Sequence, residues 1–192
     1  SLEVYLFPET YSYNKLTTLP DLFKKMHTKF LETWNKDPKI SARTTELGMS
    51  RHEVVTLASI VEKETGAEFE RPLISSVFHN RLKKKMRLQS DPTTIYGVWE
   101  TYTGNITRKH LQEKTPYNTY TIPALPIGPI ANPGKEALIA ALYPEPSEYL
   151  YFVSKNDGTH TFTTHFKDHQ SAVRAFQLNP DARKGKSWRD LK

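Results

Sequence analysis

The sequence predicts an α+β fold in which helices pack with one small antiparallel hairpin. Several segments carry apolar residues at helical spacing, and some of them begin or end at capping or proline signals. In the C-terminal part, two short segments rich in aromatic or β-branched residues, 149–153 and 159–163, flank Asn156-Asp157-Gly158, which is typical of a β-hairpin turn. With 192 residues, the chain is long enough to bury one hydrophobic core, with room for a small appendage.

The N-terminal part predicts a strand followed by a scaffold helix. Residues 2–7 form the predicted strand, which runs into a turn at Pro8, and we expect residues 1–13 to end a subdomain that lies upstream. A helix follows, with Pro20 in its first turn and Asp37-Pro38 at its end. Its apolar residues recur every four positions: Leu22, Met26, Phe30 and Trp34.

Two helices are predicted in the centre of the chain. Ser50 and Glu53 form a capping box for the first, over residues 51–65, and Gly66 is its stop signal. Pro72 begins the second helix. The buried stripes are Val54, Leu57, Ala58 and Val61 in the first helix, and Leu73, Val77, Phe78 and Leu82 in the second.

The C-terminal half combines a proline-rich loop, a helix, the hairpin and a last helix. After a short helix near residues 107–113, five prolines interrupt residues 116–134, and the apolar residues among them predict an ordered cleft wall. Asn132-Pro133 then starts a helix, and the last helix covers about residues 168–177. Beyond Pro180 we expect a loose, charged tail.

Glu62 and Glu64 end the first central helix and are the candidate acids. At about 100° per residue, the two side chains project to opposite flanks of the buried stripe, so they cannot share one task. Glu64 lies only slightly nearer the apolar centre, so helical geometry leaves both residues open. The alternative is that both carboxylates solvate the last turn of a surface helix, as charged side chains mostly do.

Composition and motifs exclude several kinds of chemistry. The absence of cysteine rules out disulfides, thiolate chemistry and the common structural zinc sites. Serine-hydrolase and phosphate-loop motifs are also missing. His160, His165 and His169 lie close in sequence, but without a His-Glu-x-x-His pattern we expect no metal. Acid–base chemistry by a carboxylate remains, or no chemistry at all, and neither needs a cofactor.

The formal net charge of +6 favours an anionic partner such as nucleic acid, a membrane surface or a wall polymer. Part of this excess lies in residues 83–87 and 183–192, where a solvated loop and a loose tail account for it. We therefore expect no nucleic-acid partner. No stretch reaches the 18 or more apolar residues of a membrane helix, and the N-terminus has no signal-peptide pattern.

A carboxyl group held in an apolar wall has a raised pKa and can stay protonated near neutral pH. Such an acid can donate its proton to the leaving oxygen of a glycosidic bond. The nearby polar and aromatic residues suit a polymer of hydroxyl and amide groups: Asn80, Gln89, Asp91, Thr94, Tyr96, Tyr117, Asn118 and Tyr120.

Several motifs occur in a fixed order along the chain: LASIVEKET at residues 57–65, VFHNRL at 77–82, MRLQSDPT at 86–93, YNTY at 117–120, PIGPIANPG at 126–134 and HTF at 160–162. Together they resemble the motifs of the YceG-like endolytic murein transglycosylases (MltG). The opening LEVYLFPETY at residues 2–11 also resembles a segment of that family, so the resemblance covers nearly the whole chain.

The resemblance implies a bacterial lytic transglycosylase, a lyase that cuts peptidoglycan strands internally. Such an enzyme cleaves bonds between N-acetylmuramic acid and N-acetylglucosamine in nascent strands, leaves 1,6-anhydro ends and terminates elongation. It would act on the extracytoplasmic side of the cytoplasmic membrane, held by a single anchoring helix upstream of this chain. Proteins of the wall-elongation machinery are further expected partners.

The resemblance also assigns domains and site residues. It implies a single YceG-like catalytic domain over residues 14–178, between the linking strand of residues 1–13 and a loose basic tail of residues 179–192. The catalytic glutamate aligns with Glu64, and Glu62 is the alternative. The substrate-binding candidates are Asn80, Gln89, Asp91, Thr94, Tyr96, Tyr120, Asn132 and His160.

Three positions depart from the family's pattern. Val4 replaces a glycine, Ala124 stands where glycine is usual before Leu-Pro, and Ile127 stands where proline is common. If that glycine needs a positive φ, Ala124 costs on the order of 1 kcal/mol or more.

The competing class is a non-catalytic peptidoglycan-binding module. In that case the same aromatic and amide cleft would hold glycan, and Glu64 would be a structural residue.

Overall fold

The computed structural model describes residues 5–183. Short 3-10 helices occupy Glu68–Glu70 and Trp99–Thr101, and a π-helix occupies Arg174–Leu178. The α-helices and strands are, in chain order, α1 (Leu19–Lys36), α2 (Pro38–Glu46), α3 (Arg51–Glu64), α4 (Arg71–Lys83), α5 (Asp91–Gly97), α6 (Arg108–Gln112), α7 (Lys135–Leu142), β1 (Tyr151–Ser154), β2 (His160–Thr163), α8 (Phe166–Val173) and α9 (Pro180–Arg183). No helix in this part of the chain is long and apolar enough to cross a membrane.

Helix α3 lies at the centre of the core. The predicted capping box starts it: Ser50 Oγ accepts from the Glu53 amide, and the Glu53 carboxylate accepts from the Ser50 amide. Residues 54–61 are all buried, and the helix packs against α4 and α7. Because burial of each large aliphatic side chain contributes about 1.5–3 kcal/mol, this stripe fixes the helix firmly in place.

The two strands form one antiparallel hairpin, in the register Tyr151 opposite Thr163 through Ser154 opposite His160. Its turn uses left-handed backbone at Asn156 (φ 62°) and Gly158 (φ 87°), as the Asn-Asp-Gly motif predicted. One side of the hairpin packs on α4, and α8 returns against both strands.

The hairpin is also held to the segment that follows α3. Glu70, which is buried, accepts from the His160 amide at 3.0 Å and pairs with His160 Nδ1 at 2.7 Å. At the hairpin tip, the backbone of Gly66 approaches the Gly158 carbonyl so closely that a side chain at residue 66 would clash with it. These two contacts fix the position of the hairpin relative to the end of α3.

The structure confirms the predicted α+β class and most of the predicted elements. The helix over 51–65 ends one residue earlier, at Glu64, with Thr65 as its extended C-cap. Gly66 does not have a positive φ, so it does not end the helix as a left-handed C-cap glycine. Because it has no side chain, its backbone can lie close to the Gly158 carbonyl. Helix α2, which the sequence did not predict, packs against α1 and α7.

The predicted opening strand is wrong for its described residues. Residues 6–8 have no strand partner: Leu6 donates its amide to Asn132 Oδ1 at 3.1 Å, and Phe7 donates to the Met26 carbonyl at 3.2 Å. Helix α9 occupies the start of the expected loose tail. Residues 2–4 of that strand and 184–192 of that tail lie outside the described residues.

Ala124, one of the departures from the family's pattern, does not have a positive φ. The strain that a left-handed alanine would carry at this position therefore does not arise, and its side chain is exposed.

Replacing Gly66 with alanine should destabilise the fold by about 1–3 kcal/mol, because the added methyl group forces the hairpin away from α3. Urea unfolding followed by circular dichroism measures this loss. Gly134→Ala is the matched control, since a Cβ there meets its nearest atom, Glu62 Oε2, at an ordinary 3.6 Å. Equal stability of the two variants would contradict the close contact.

Candidate active site

A cleft of about 350 Å³ opens where the C-terminal end of α3 meets the hairpin and α8. Its polar side is lined by Glu64, Gln89, Asp91 and Tyr120. Arg81, Leu88 and the aromatic side chains of Tyr151, Phe152, Phe166 and His169 line the remainder. Larger depressions of about 690 and 600 Å³ lie along α1, away from these groups. The smaller cleft is the candidate site, because among these three only it holds a carboxyl group, that of Glu64, whose pKa is raised by burial.

Glu64 is the last residue of α3 and is half-buried in this cleft. Desolvation by the surrounding protein, with a smaller contribution from the charge of Asp91, raises the pKa of Glu64 to about 7. A hydrogen bond from Ser90 Oγ to Glu64 Oε1, at 2.6 Å, and the positive charge of Arg81 act in the opposite direction. The carboxyl group can thus exchange a proton near neutral pH.

Ser90 is itself held by a buried group of threonine hydroxyls. The Ser90 amide donates to Thr119 Oγ1 at 3.0 Å, and Thr93 Oγ1 donates to the Ser90 carbonyl at 2.7 Å. Thr93 Oγ1 and Thr119 Oγ1 lie 2.8 Å apart, and all three residues are at most 1% exposed. Because these bonds fix Ser90, its hydroxyl donates to Oε1 and leaves Oε2 as the Glu64 oxygen without a hydrogen-bond partner among residues 5–183.

Asp91 and Tyr120 form a hydrogen-bonded pair in the lining of the cleft. The Tyr120 hydroxyl donates to Asp91 Oδ1 at 2.6 Å, and burial together with this bond raises the pKa of Tyr120 above its usual range. The Tyr120 phenol therefore keeps its proton and its hydrogen bond to Asp91. Gln89 has left-handed backbone (φ 52°), and its backbone N–H donates to the Thr119 carbonyl. Its side chain is exposed and lines the cleft.

Glu62 occupies a different position from Glu64. Its Oε2 accepts from the Gly134 amide, just before α7, at 3.2 Å, and its Oε1 lies 3.8 Å from Arg71 Nη2. Glu62 does not line the cleft. The structure thus separates two carboxylates that the helical wheel could not rank.

Three of the predicted substrate-binding residues hold the framework of the site rather than lining it. Asn80 donates its side-chain amide to the carbonyls of Ser147 and Tyr149, at 2.9 and 3.0 Å, which fixes the approach to β1. Thr94 is fully buried and donates to Asn118 Oδ1 at 3.0 Å. Tyr96 packs edge-to-face on another ring, that of Tyr117.

Two more predicted residues also lie outside the cleft lining. Asn132 accepts from the Leu6 amide, and His160 pairs with the buried Glu70. Of the predicted site residues, the structure brings Glu64, Gln89, Asp91 and Tyr120 together in one cleft.

Arg81 is a cleft residue that the sequence analysis missed as a site candidate. It is 7% exposed; its Nε donates to the Leu150 carbonyl at 2.6 Å and its Nη1 to the Leu88 carbonyl at 2.7 Å. Its guanidinium lies 5.2 Å from the centre of the Tyr151 ring. Arg81 therefore joins the residue before the hairpin to the segment that carries Ser90. Its position next to the candidate Asn80 is the feature of the sequence that could have marked it as a site residue.

The aromatic side of the cleft was also missed. The sequence pattern of His169 points only to metal binding, whereas its ring stacks on Tyr151 in the structure. No group of three or more His, Cys, Asp or Glu side chains within residues 5–183 is arranged to hold a metal ion.

The fold and the cleft define a class of protein: a small α+β domain with one desolvated carboxyl group between a polar and an aromatic wall. The sequence model of the YceG-like family matches residues 1–175. The chain belongs to the YceG-like family.

Similar proteins carry consistent names. An endolytic murein transglycosylase of Bacillus subtilis (strain 168) is 41% identical over 175 residues, covering 89% of this chain and 47% of that protein. One from Streptococcus pneumoniae (strain ATCC BAA-255 / R6) is 32% identical over 178 residues, covering 90% of this chain and 32% of that protein. The chain thus spans from about a third to about half of these relatives.

A crystal structure of a YceG-like protein from Listeria monocytogenes shares the fold. Its TM-score is 0.81 at 38% sequence identity, and the match covers 89% of this chain and 55% of that one.

Replacing Glu64 with glutamine should stabilise the fold at pH 8 but not at pH 5. The folded-state pKa of about 7 exceeds the ordinary value of 4.5, so the folded state binds more protons between these pH values and loses stability as pH rises. A neutral glutamine avoids this loss, and we expect a gain of about 1–3 kcal/mol at pH 8. Denaturant unfolding at both pH values measures it.

Glu62→Gln is the control for this measurement, because Glu62 bonds to the Gly134 amide outside the cleft. A gain for Glu64→Gln that is the same at both pH values would contradict a carboxyl group that titrates near neutrality.

Ser90→Ala should raise the pKa of Glu64 further, by roughly one unit, because it removes a hydrogen bond that favours the carboxylate. Carbon-13 NMR titration of labelled glutamate carboxyl groups reports this pKa directly. Ser76→Ala removes a comparable hydroxyl pair, Ser76 with Ser147, away from the cleft and should leave the pKa unchanged. An unmoved Glu64 titration in Ser90→Ala would contradict the contact.

Proposed function

We propose that this domain is a lytic transglycosylase that cuts the glycan strands of peptidoglycan internally. The observation that carries the proposal is the single desolvated carboxyl group of Glu64 in the cleft, with its pKa near 7. The relatives named endolytic murein transglycosylases support the substrate and the reaction class.

In the first step, Glu64 acts as general acid. Its proton passes to the oxygen that links N-acetylmuramic acid to N-acetylglucosamine, while the bond from that oxygen to C1 of the muramic residue breaks. Positive charge develops at C1, and the carboxylate of Asp91, which lines the same cleft, would stabilise it. Ser90 stabilises the carboxylate that Glu64 becomes, because its hydroxyl already donates to Oε1.

In the second step, the same carboxylate acts as general base. It takes the proton of the muramic C6 hydroxyl as that oxygen bonds to C1, which closes a 1,6-anhydro ring and consumes no water. Glu64 ends the cycle protonated, as it began. One carboxyl group with a pKa near neutrality suits both roles, so Glu62 is not required.

The remaining cleft residues would hold the sugar. Gln89, Asp91 and Tyr120 offer amide, carboxylate and phenol groups to hydroxyl and acetamido groups of the strand. Asn80, Thr94, Tyr96, Asn132 and His160 would support substrate binding indirectly, by fixing the walls through the contacts already described.

The proposed substrate also implies a location. Peptidoglycan lies outside the cytoplasmic membrane, so the domain would act on the extracytoplasmic side, held by an anchor outside this chain. Termination of strand elongation and contacts with elongation proteins belong to this same proposal.

Digestion of purified, uncross-linked glycan strands followed by mass spectrometry tests the proposal. The intact domain should release fragments with anhydro ends, each lighter by one water than a hydrolytic product. Glu64→Gln should reduce the rate by about 10²- to 10⁴-fold, as loss of a general acid does. The rate should also fall above about pH 7, as Glu64 loses its proton.

Glu62→Gln is the matched variant, because its side-chain carbonyl can still accept from the Gly134 amide; its rate should stay within a few-fold of the intact domain. Binding of strands without any cleavage by the intact domain would instead support the non-catalytic binding module. Hydrolytic ends alone would overturn the transglycosylase reaction.

A further inference from the structure

Phe166 is a large apolar side chain that lines the cleft and is nevertheless 56% exposed. It lies at the first position of α8, and it lines the same cleft as Glu64. The exposed aromatic residues Phe69 and Trp99 do not line this cleft. Phe166 therefore presents an uncovered ring next to the candidate acid.

Phe166 belongs to a cluster of three rings, which we call the stacking wall: Tyr151, Phe166 and His169. The Tyr151 ring lies 5.7 Å from Phe166 and 5.1 Å from His169, and the Tyr151 and His169 planes are only 22° apart. Phe166 and His169 are 6.3 Å apart. Arg81 lies over the Tyr151 ring at 5.2 Å, which holds the tyrosine in position.

His169 has one nitrogen available to a ligand. Its Nδ1 is buried without a hydrogen-bond partner, whereas Nε2 is not enclosed in this way and has no partner among residues 5–183. Burial and the nearby Arg81 lower the pKa of His169, so the ring is neutral at physiological pH. A buried N–H without an acceptor is rarer than a buried acceptor without a donor, which favours the proton on Nε2.

We propose that the stacking wall binds the apolar face of an N-acetylhexosamine ring beside Glu64, with His169 Nε2 donating a hydrogen bond to an oxygen of that sugar. The inference rests on the proposed function, since it assigns a subsite for the same glycan strand.

Two features of the cleft favour a sugar over a flat aromatic ligand. The C–H groups on one face of a pyranose ring can cover exposed aromatic rings, while its hydroxyl groups point outward. The same cleft is also lined by Gln89, Asp91 and Tyr120, which are hydrogen-bonding groups suited to those hydroxyls and to an acetamido group. A sugar ring in this cleft would satisfy the aromatic and the polar groups at once.

Binding and kinetics with the same uncross-linked strands test the subsite. Affinity is measured by calorimetry on the full chain carrying Glu64→Gln, which prevents turnover, and KM and kcat are measured on chains with Glu64 intact. Phe166→Ala should weaken binding about three- to tenfold and raise KM by a similar factor with a smaller change in kcat. Phe166→Trp, which keeps an aromatic face, should restore both.

His169→Ala should weaken binding, and His169→Gln, which keeps an N–H donor, should recover part of it. Phe69→Ala is the matched control, because Phe69 is 75% exposed but lies outside the cleft; its affinity and KM should be unchanged. Thermal unfolding of each variant verifies that the fold is intact.

The outcomes separate this subsite from the proposed reaction. If strands are cleaved but Phe166→Ala and His169→Ala bind and react like Phe69→Ala, the subsite is overturned and the reaction stands. If strands bind through Phe166 but are not cleaved by the intact chain, the subsite stands and the reaction is overturned.

Discussion

The site depends on the cost of keeping a charged carboxyl group at the end of a buried helix. Residues 54–61 anchor α3 in the core, and Glu64 follows them into the cleft with little solvent around it. That desolvation is opposed by the positive charge of Arg81 and, more strongly, by a short hydrogen bond from Ser90, whose own amide and carbonyl are held by Thr119 and Thr93. The balance of these opposing contributions gives a carboxyl group that can both lose and regain a proton near neutral pH.

The parts of the fold that depend on residues close together in the sequence could be predicted from it. The capping box of Ser50 and Glu53 and the Asn-Asp-Gly turn each act within a few residues, so their motifs located α3 and the hairpin closely. The two glutamates could not be distinguished in this way. Glu64 contacts Ser90, 26 residues away in the sequence, and Glu62 contacts Gly134, 72 residues away. A helical wheel describes only one helix, so it cannot show either contact.

The candidate substrate-binding residues divide into those that line the cleft and those that hold its framework, for a related reason. A polar residue in a motif can face a ligand or satisfy the backbone of a distant segment, and its type does not show which. Asn80 satisfies two carbonyls before β1, whereas Tyr120 reaches the cleft edge and bonds Asp91. The aromatic wall was missed because Tyr151 and His169 come from different elements, which meet only when α8 folds back on the hairpin.

The hairpin docks on the segment that follows α3, and this docking limits which segments can be exchanged between related proteins. Two of the contacts that fix the hairpin, Gly66 with Gly158 and Glu70 with His160, start within six residues of Glu64 along the chain. Within residues 5–183 the hairpin has no third strand beside it, so contacts of this kind hold it next to the cleft. In chimeras between relatives, residues 64–70 and 151–163 therefore form one unit of exchange, and swapping either alone would mismatch the segment after the acid with the hairpin that it holds.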